Sequence, residues 1–278
     1  MKKIYFLFTA ILVIGISSCK KNDGITDPPT PVEPPKPYVA DNSFKVVAYF
    51  PSYRDPNGVA DAKFKMISHL FYAFLNPNTD GSLANLEQPS RFAAVMQKAR
   101  ANGVKTGISV SGTRSIFVEM VASASARKLF IKNVLGFART NNLDGVDMDW
   151  EYPAIPAAGT GARPEDKQNF TLLMKELREG LNTLDRKQTL TFASAGWQRY
   201  YNNVELLEVM KHVDYMNIMT YDQVGGSSPF TGHHTPLGFI TEADVKETFA
   251  WEYMNERREQ LKERGITSLD PRSAERIV

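Results

Sequence analysis

From Phe44 onward, short apolar runs alternate with longer stretches whose apolar residues recur at helical spacing. The runs Lys45–Phe50, His69–Phe74, Lys105–Ser111, Gly145–Glu151, Thr189–Ala195 and Tyr215–Tyr221 each predict a strand. Between them, Pro89–Asn102 places Phe92, Val95, Met96 and Ala99 on one helical face, and Gly103 follows as a stop. Ser125–Asn141 predicts a second helix, with Leu129, Val134, Phe137 and Ala138 as its buried stripe. Pro164–Leu184 opens on a proline and predicts a third; Val204–Lys211 is a short fourth. Strands alternating with helices imply a parallel sheet covered by helices. A doubly wound open sheet and a (β/α)8 barrel both satisfy that pattern. The open sheet calls for a glycine-rich phosphate turn early in the chain. Pro51-Ser52-Tyr53-Arg54 follows the first strand instead. Polar residues gather at the C-terminal ends of the strands, where barrel active sites sit. The expected fold class is therefore α/β, a (β/α)8 barrel.

Before Phe44 the pattern differs. Lys2 and Lys3 precede a wholly different stretch, Ile4–Ile16, which is almost entirely apolar. At about 13 residues it is too short for a permanent membrane span and reads as a secretory signal core. Ile16-Ser17-Ser18-Cys19 then resembles a bacterial lipobox. The resemblance implies a signal peptide over residues 1–18, cleavage before Cys19, and lipidation of that cysteine. More than one acyl chain gives stable anchoring. The expected location is the bacterial cell envelope, lipid-anchored at the outer membrane or cell surface. Lys20–Asp41 has no hydrophobic period and holds Pro28, Pro29, Pro31, Pro34, Pro35 and Pro37. It reads as an extended, semi-rigid spacer over residues 19–41, ahead of a catalytic domain over 42–278. Cys19 is the sole cysteine, so no disulfide within the chain braces that domain.

The length, 278 residues, allows one large domain or two small ones, and 42% hydrophobic residues supply a core. The 33 basic and 31 acidic side chains leave a net charge of +2, so no nucleic acid partner is expected.

The most informative stretch is Leu143-Asp-Gly-Val-Asp-Met-Asp-Trp-Glu-Tyr-Pro153. Strand side chains alternate faces. Asp147, Asp149 and Glu151 therefore share one face, and Val146, Met148 and Trp150 share the other. Carboxylates that close cannot all ionise comfortably, so at least one pKa rises and a proton is shared. A protonated carboxylic acid near neutral pH is what a glycosidic leaving oxygen requires.

The run Asp144-x-x-Asp147-x-Asp149-x-Glu151 resembles the signature of glycoside hydrolase family 18, and Trp150-Glu151-Tyr152-Pro153 resembles its chitinases. Met219-Thr220-Tyr221-Asp222 is similar to the family's sixth-strand motif. The similarity runs from Phe44 to His234. It implies hydrolysis of β-1,4-linked N-acetylglucosamine polymers, chitin or chito-oligosaccharides, with retention and assistance from the substrate. On that resemblance Glu151 is the general acid and base. Asp149 hydrogen-bonds the substrate acetamide and balances the oxazolinium ion. Asp147 holds or exchanges a proton with Asp149, and Tyr221 orients the acetamide. Tyr49 contacts sugar, Phe74 forms an apolar wall, and Met219 and Asp222 line the sugar site. No metal or organic cofactor is required. His233 and His234 read as loop residues at a cleft rim, since no further ligands are spaced to complete a metal site. The same fold also serves endo-β-N-acetylglucosaminidases on glycoprotein glycans, and a glycan-binding lipoprotein without turnover is a further alternative.

Three features depart from the family pattern. The third strand usually ends Ser-x-Gly-Gly, often before a Trp; here Ser109-Val110-Ser111-Gly112-Thr113 stands there. A polar loop, Gln223–Pro236, follows the sixth-strand motif. Glu242–Arg264 reads as a charged helix and Pro271–Val278 as the opening turn of another, with no sign of the Tyr-Gly-Arg of a seventh strand or the Trp of an eighth. The expectation is a partial barrel lacking strands seven and eight, with unpaired edges, weak stability and poor activity.

Overall fold

The computed structural model describes residues 43–156, 163–223, 233–238 and 274. These fall in one compact unit, Pro35–Val278. Strands β1 (Val47–Pro51), β2 (His69–Leu75), β3 (Lys105–Ser111), β4 (Gly145–Asp149), β5 (Thr189–Ala195) and β6 (Tyr215–Met219) form one six-stranded sheet in sequential order. Every pairing is parallel. The connecting helices are α1 (Asp61–Phe64), α2 (Pro89–Ala101), α3 (Arg114–Ala122), α4 (Ala124–Thr140), α5 (Asp166–Leu181), α6 (Gln198–Asn202) and α7 (Leu206–Val209). This is the strand order of a (β/α)8 barrel through its sixth strand.

The sheet curls. Asn217 of β6 donates to the Tyr49 hydroxyl of β1 at 2.8 Å, although these are the two end strands. Its outer face packs on helices. Val146 and Met148 are fully buried, and Trp150, 2% exposed, stacks on Phe117 of α3 at 5.4 Å. Trp150 also meets Phe170 of α5 edge-on at 6.0 Å. Each such side chain contributes roughly 1.5–3 kcal/mol by leaving water. Phe92, Val95, Met96 and Ala99 are the buried face of α2, as their spacing predicts, and Gly103 closes the helix at φ +76.

Several expectations shift. The stripe of α4 runs through Ala126, Phe130, Ile131, Val134 and Ala138; Leu129 is 39% exposed, one position off it. The pattern also gives no helix between Ser111 and Ser125, yet α3 fills that interval. It buries Phe117, Val118, Met120 and Val121 and exposes Ser115 and Glu119 one turn apart, a face of only two polar residues in a nine-residue helix. β4 ends at Asp149 and β6 at Met219, so Glu151, Tyr221 and Asp222 stand just beyond strand ends. Cys19, the signal segment, the proline spacer up to Asp41, the helix read over Glu242–Arg264 and, Ala274 aside, the turn read over Pro271–Val278 lie outside the described residues.

Candidate active site

Asp147 is the centre of the inner face. It lies mid-strand between β3 and β5, paired in register with Ser109 and Thr191. Its carboxylate accepts from Thr191 Oγ1 at 2.6 Å, Ser109 Oγ at 2.7 Å, the Tyr49 hydroxyl at 3.0 Å and Asn217 Nδ2 at 3.2 Å. Those donors favour the charged form, but complete burial outweighs them and pushes the Asp147 pKa up. The same burial, with Asp147 adjacent, pushes the Tyr49 hydroxyl up, so it remains a donor at any working pH.

Asp149 stands one rung nearer the C-terminal end of the strands. It is 8% exposed, and its Oδ1 is buried without a hydrogen-bond partner. Burial first, then the charges of Glu151 and Asp147, push its pKa up to about 7, against a lowering by Ser111. The proton that the crowded carboxylates require therefore resides in part on Asp149 near neutral pH. Glu151 is exposed, just past the strand end. Tyr152 follows it, and burial followed by the Glu151 charge raises the Tyr152 pKa.

Glu151, Met219, Tyr221 and Asp222 line one cavity together with Tyr152, Trp197, Ala195 and Gln223. Tyr221 is 48% exposed, and its pKa is raised by burial and by Asp149 and Glu151. Asp222 adopts a left-handed backbone at φ 55 and meets the His234 ring. Asp147 and Asp149 form the buried polar group on the inner face, and Tyr49, 38% exposed, reaches it through its hydroxyl. Phe74 is 37% exposed at the end of β2, where the register with β3 shifts between Ala73 and Leu75. Such a bulge re-aims a side chain beside a site; Phe74 is not among the residues lining the cavity.

Asp144, the first acid of the run, is elsewhere. It precedes β4, accepts from the Thr106 amide at 2.8 Å and pairs with Arg186 at 3.2 Å. That is the N-terminal end of the strands, where polar contacts hold a barrel together rather than touch substrate. Residues the sequence reading leaves out are Ser109, Thr191, Asn217, Tyr152 and Trp197 as site members. The first three depend on strand register, which spacing within one strand does not reveal.

Beyond its own geometry, the chain is similar to known proteins. A family profile described as glycosyl hydrolases family 18 matches residues 45–264. Chitinase A1 of Niallia circulans is 40% identical over 149 residues, covering 51% of this chain and 21% of that protein. The structure of chitinase ChiW from Paenibacillus sp. str. FPU-7, a cell-surface-expressed multi-modular enzyme, aligns with a TM-score of 0.64 and 30% identity, covering 76% of this chain and 21% of that one. A family 18 N-acetylglucosaminidase from Paenibacillus barengoltzii aligns with a TM-score of 0.64 and 29% identity, covering 78% and 65%. The chain spans less than half the length of the curated relatives it matches.

Proposed function

Because the chain belongs to the glycosyl hydrolases of family 18, we propose that it hydrolyses β-1,4-linked N-acetylglucosamine polymers by a retaining, substrate-assisted mechanism. One observation carries the reading. A buried Asp149, its pKa pushed up to about 7 and its Oδ1 without a hydrogen-bond partner, sits between a fully buried Asp147 and an exposed Glu151. That arrangement suits an acetamide. Its N–H donates to Asp149, while Glu151 reaches the glycosidic oxygen. Glu151 gives its proton to the leaving oxygen as the bond to the anomeric carbon breaks. The acetamide oxygen attacks that carbon and forms the oxazolinium ion, whose charge Asp149 balances. Water then opens the ring, Glu151 takes the water's proton, and configuration is retained. The chitinase relatives favour chitin or chito-oligosaccharides as substrate. Turnover of a fluorogenic N,N′-diacetylchitobioside by the full-length protein carrying this sequence tests the reading. Binding of chito-oligosaccharides without turnover would point to a glycan-binding lipoprotein. An inert chitobioside with release of glycans from glycoproteins would move the substrate to endo-β-N-acetylglucosaminidase type.

Tyr221 contributes one neutral hydrogen bond to the acetamide in this scheme. Tyr221→Phe is therefore expected to lower kcat by about tenfold at most, since such a bond is worth roughly 0.5–1.5 kcal/mol. A loss confined to KM would remove Tyr221 from the orienting role.

Location rests on the lipobox-like segment. Lipidation of Cys19 would hold the domain at the cell envelope, with residues 19–41 as its spacer. Cys19→Ser is expected to shift the protein from the membrane fraction to the soluble envelope or medium. A Ser variant that stays membrane-bound to the same extent contradicts lipidation.

A further inference from the structure

Tyr221, Asp222 and Gln223 follow β6 and line the cavity that holds Glu151. His234, a rim residue without a role on sequence grounds, joins this run twice. Its Nε2 meets Asp222 Oδ1 at 2.5 Å, and its carbonyl accepts from the Gln223 amide at 3.0 Å. The ring is set on its other side by Thr235, whose Oγ1 lies 2.9 Å from Nδ1. An ionised carboxylate only accepts, so Nε2 carries the proton in this pair. In the neutral ring Nδ1 is then the acceptor, and the Thr235 hydroxyl donates to it. The segment is tied from beyond as well, since the Ala274 amide donates to the Pro236 carbonyl at 2.8 Å.

Fold stability does not explain the pair. The His234 and Asp222 side chains are 59% and 74% exposed, and an ion pair in water adds little to stability. What the pair fixes is a direction. Asp222 leaves the strand in the left-handed region at φ 55, so period-2 alternation no longer aims its side chain; the His234 contact does. We propose that His234 is a positioning residue for sugar binding: its Nε2–H holds the Asp222 carboxylate in one orientation at the cavity wall, ready for a polar group of N-acetylglucosamine. The inference rests on the sugar-site role that the family resemblance gives Asp222. A loose Asp222 has to be ordered when sugar binds, which weakens affinity; a preset one does not. The gain cannot exceed what the pair itself is worth, a factor of about two to five for an exposed charged pair.

The test is a cycle of two substitutions read by calorimetry. It uses the full-length protein carrying Glu151→Gln, so that bound chito-oligosaccharide is not turned over. His234→Ala should weaken binding about two- to fivefold. Asp222→Gly removes the carboxylate without backbone strain, since glycine accepts a positive φ, and should weaken binding at least as much. The two together should bind no more weakly than Asp222→Gly alone, because His234 acts only through Asp222. His234→Gln offers an amide N–H at a similar reach and should recover most of the loss. With Glu151 intact, His234→Ala should raise KM on the chitobioside by the same factor and leave kcat in place. Unchanged affinity in His234→Ala, no recovery in His234→Gln, or losses that multiply in the double variant overturns the proposal, and so does a fall in kcat. If the Glu151→Gln parent binds no chito-oligosaccharide, the failure lies in the chitin reading itself, and the role of Asp222 falls with it.

Discussion

Glu151→Gln is expected to cut turnover of a chitobioside by about 10²–10⁴-fold or more while sugar binding stays largely intact. The amide keeps the shape of the side chain but has no proton to give the leaving oxygen, and general acid catalysis contributes a factor of that size. Glu151 stands exposed beyond the end of β4. The substitution therefore leaves the buried polar group around Asp147 untouched, and the fold should not change. Binding measured by calorimetry with a chito-oligosaccharide should match the parent within a few-fold. Full activity in the variant would show that another group is the acid.

Asp149→Asn should slow turnover by about 10²–10³-fold, the range for loss of one preorganised electrostatic stabiliser. The amide cannot balance the oxazolinium charge. The same substitution has an opposite effect on stability, and the sign follows from the raised pKa. An aspartate in the unfolded chain titrates near 3.9; Asp149 in the fold titrates at about 7. Below the lower value the carboxyl is neutral in both states and costs nothing. Between the two, the unfolded chain releases the proton and the fold does not, so stability falls as pH rises. Above about 7 the penalty is constant, with a ceiling of about 4 kcal/mol. Asparagine removes it. The thermal midpoint of Asp149→Asn should match the parent near pH 4 and exceed it by several degrees at pH 8. Equal midpoints at both pH values would mean that Asp149 is not strained by burial.

Much of this site is legible in the chain. Period-2 alternation places Asp147 and Asp149 inward and Val146, Met148 and Trp150 outward; all five are buried, and contacts divide by that parity, Asp147 meeting Ser109, Thr191 and Tyr49 while Trp150 packs on Phe117 and Phe170. Strong apolar runs also locate all six strands, because a strand buried on both faces leaves a dense signal. What spacing does not carry is register. Nothing in Ser109, Thr191 or Asn217 taken singly reveals that they converge on one carboxylate, since that depends on how three strands slide past one another. Tyr152 is hidden for a different reason. Alternation assigns it to the outer face, but β4 stops at Asp149 and the chain turns, which brings Tyr152 to the cavity beside Glu151. Helices α1 and α6 are single turns, too short to show a period, whereas α7 falls inside the short helix read over Val204–Lys211.

The central claim is that the substrate's acetamide, held by Asp149, is the nucleophile and Glu151 the acid and base. The most direct measurement is the anomeric form of the first product released from a chito-oligosaccharide by the full-length protein, followed by proton NMR before mutarotation. Two successive inversions at the anomeric carbon, by acetamide oxygen and then by water, release the β-anomer first. Initial release of the α-anomer would mean a single direct attack by water and would contradict the assignment of Asp149 and Glu151 alike.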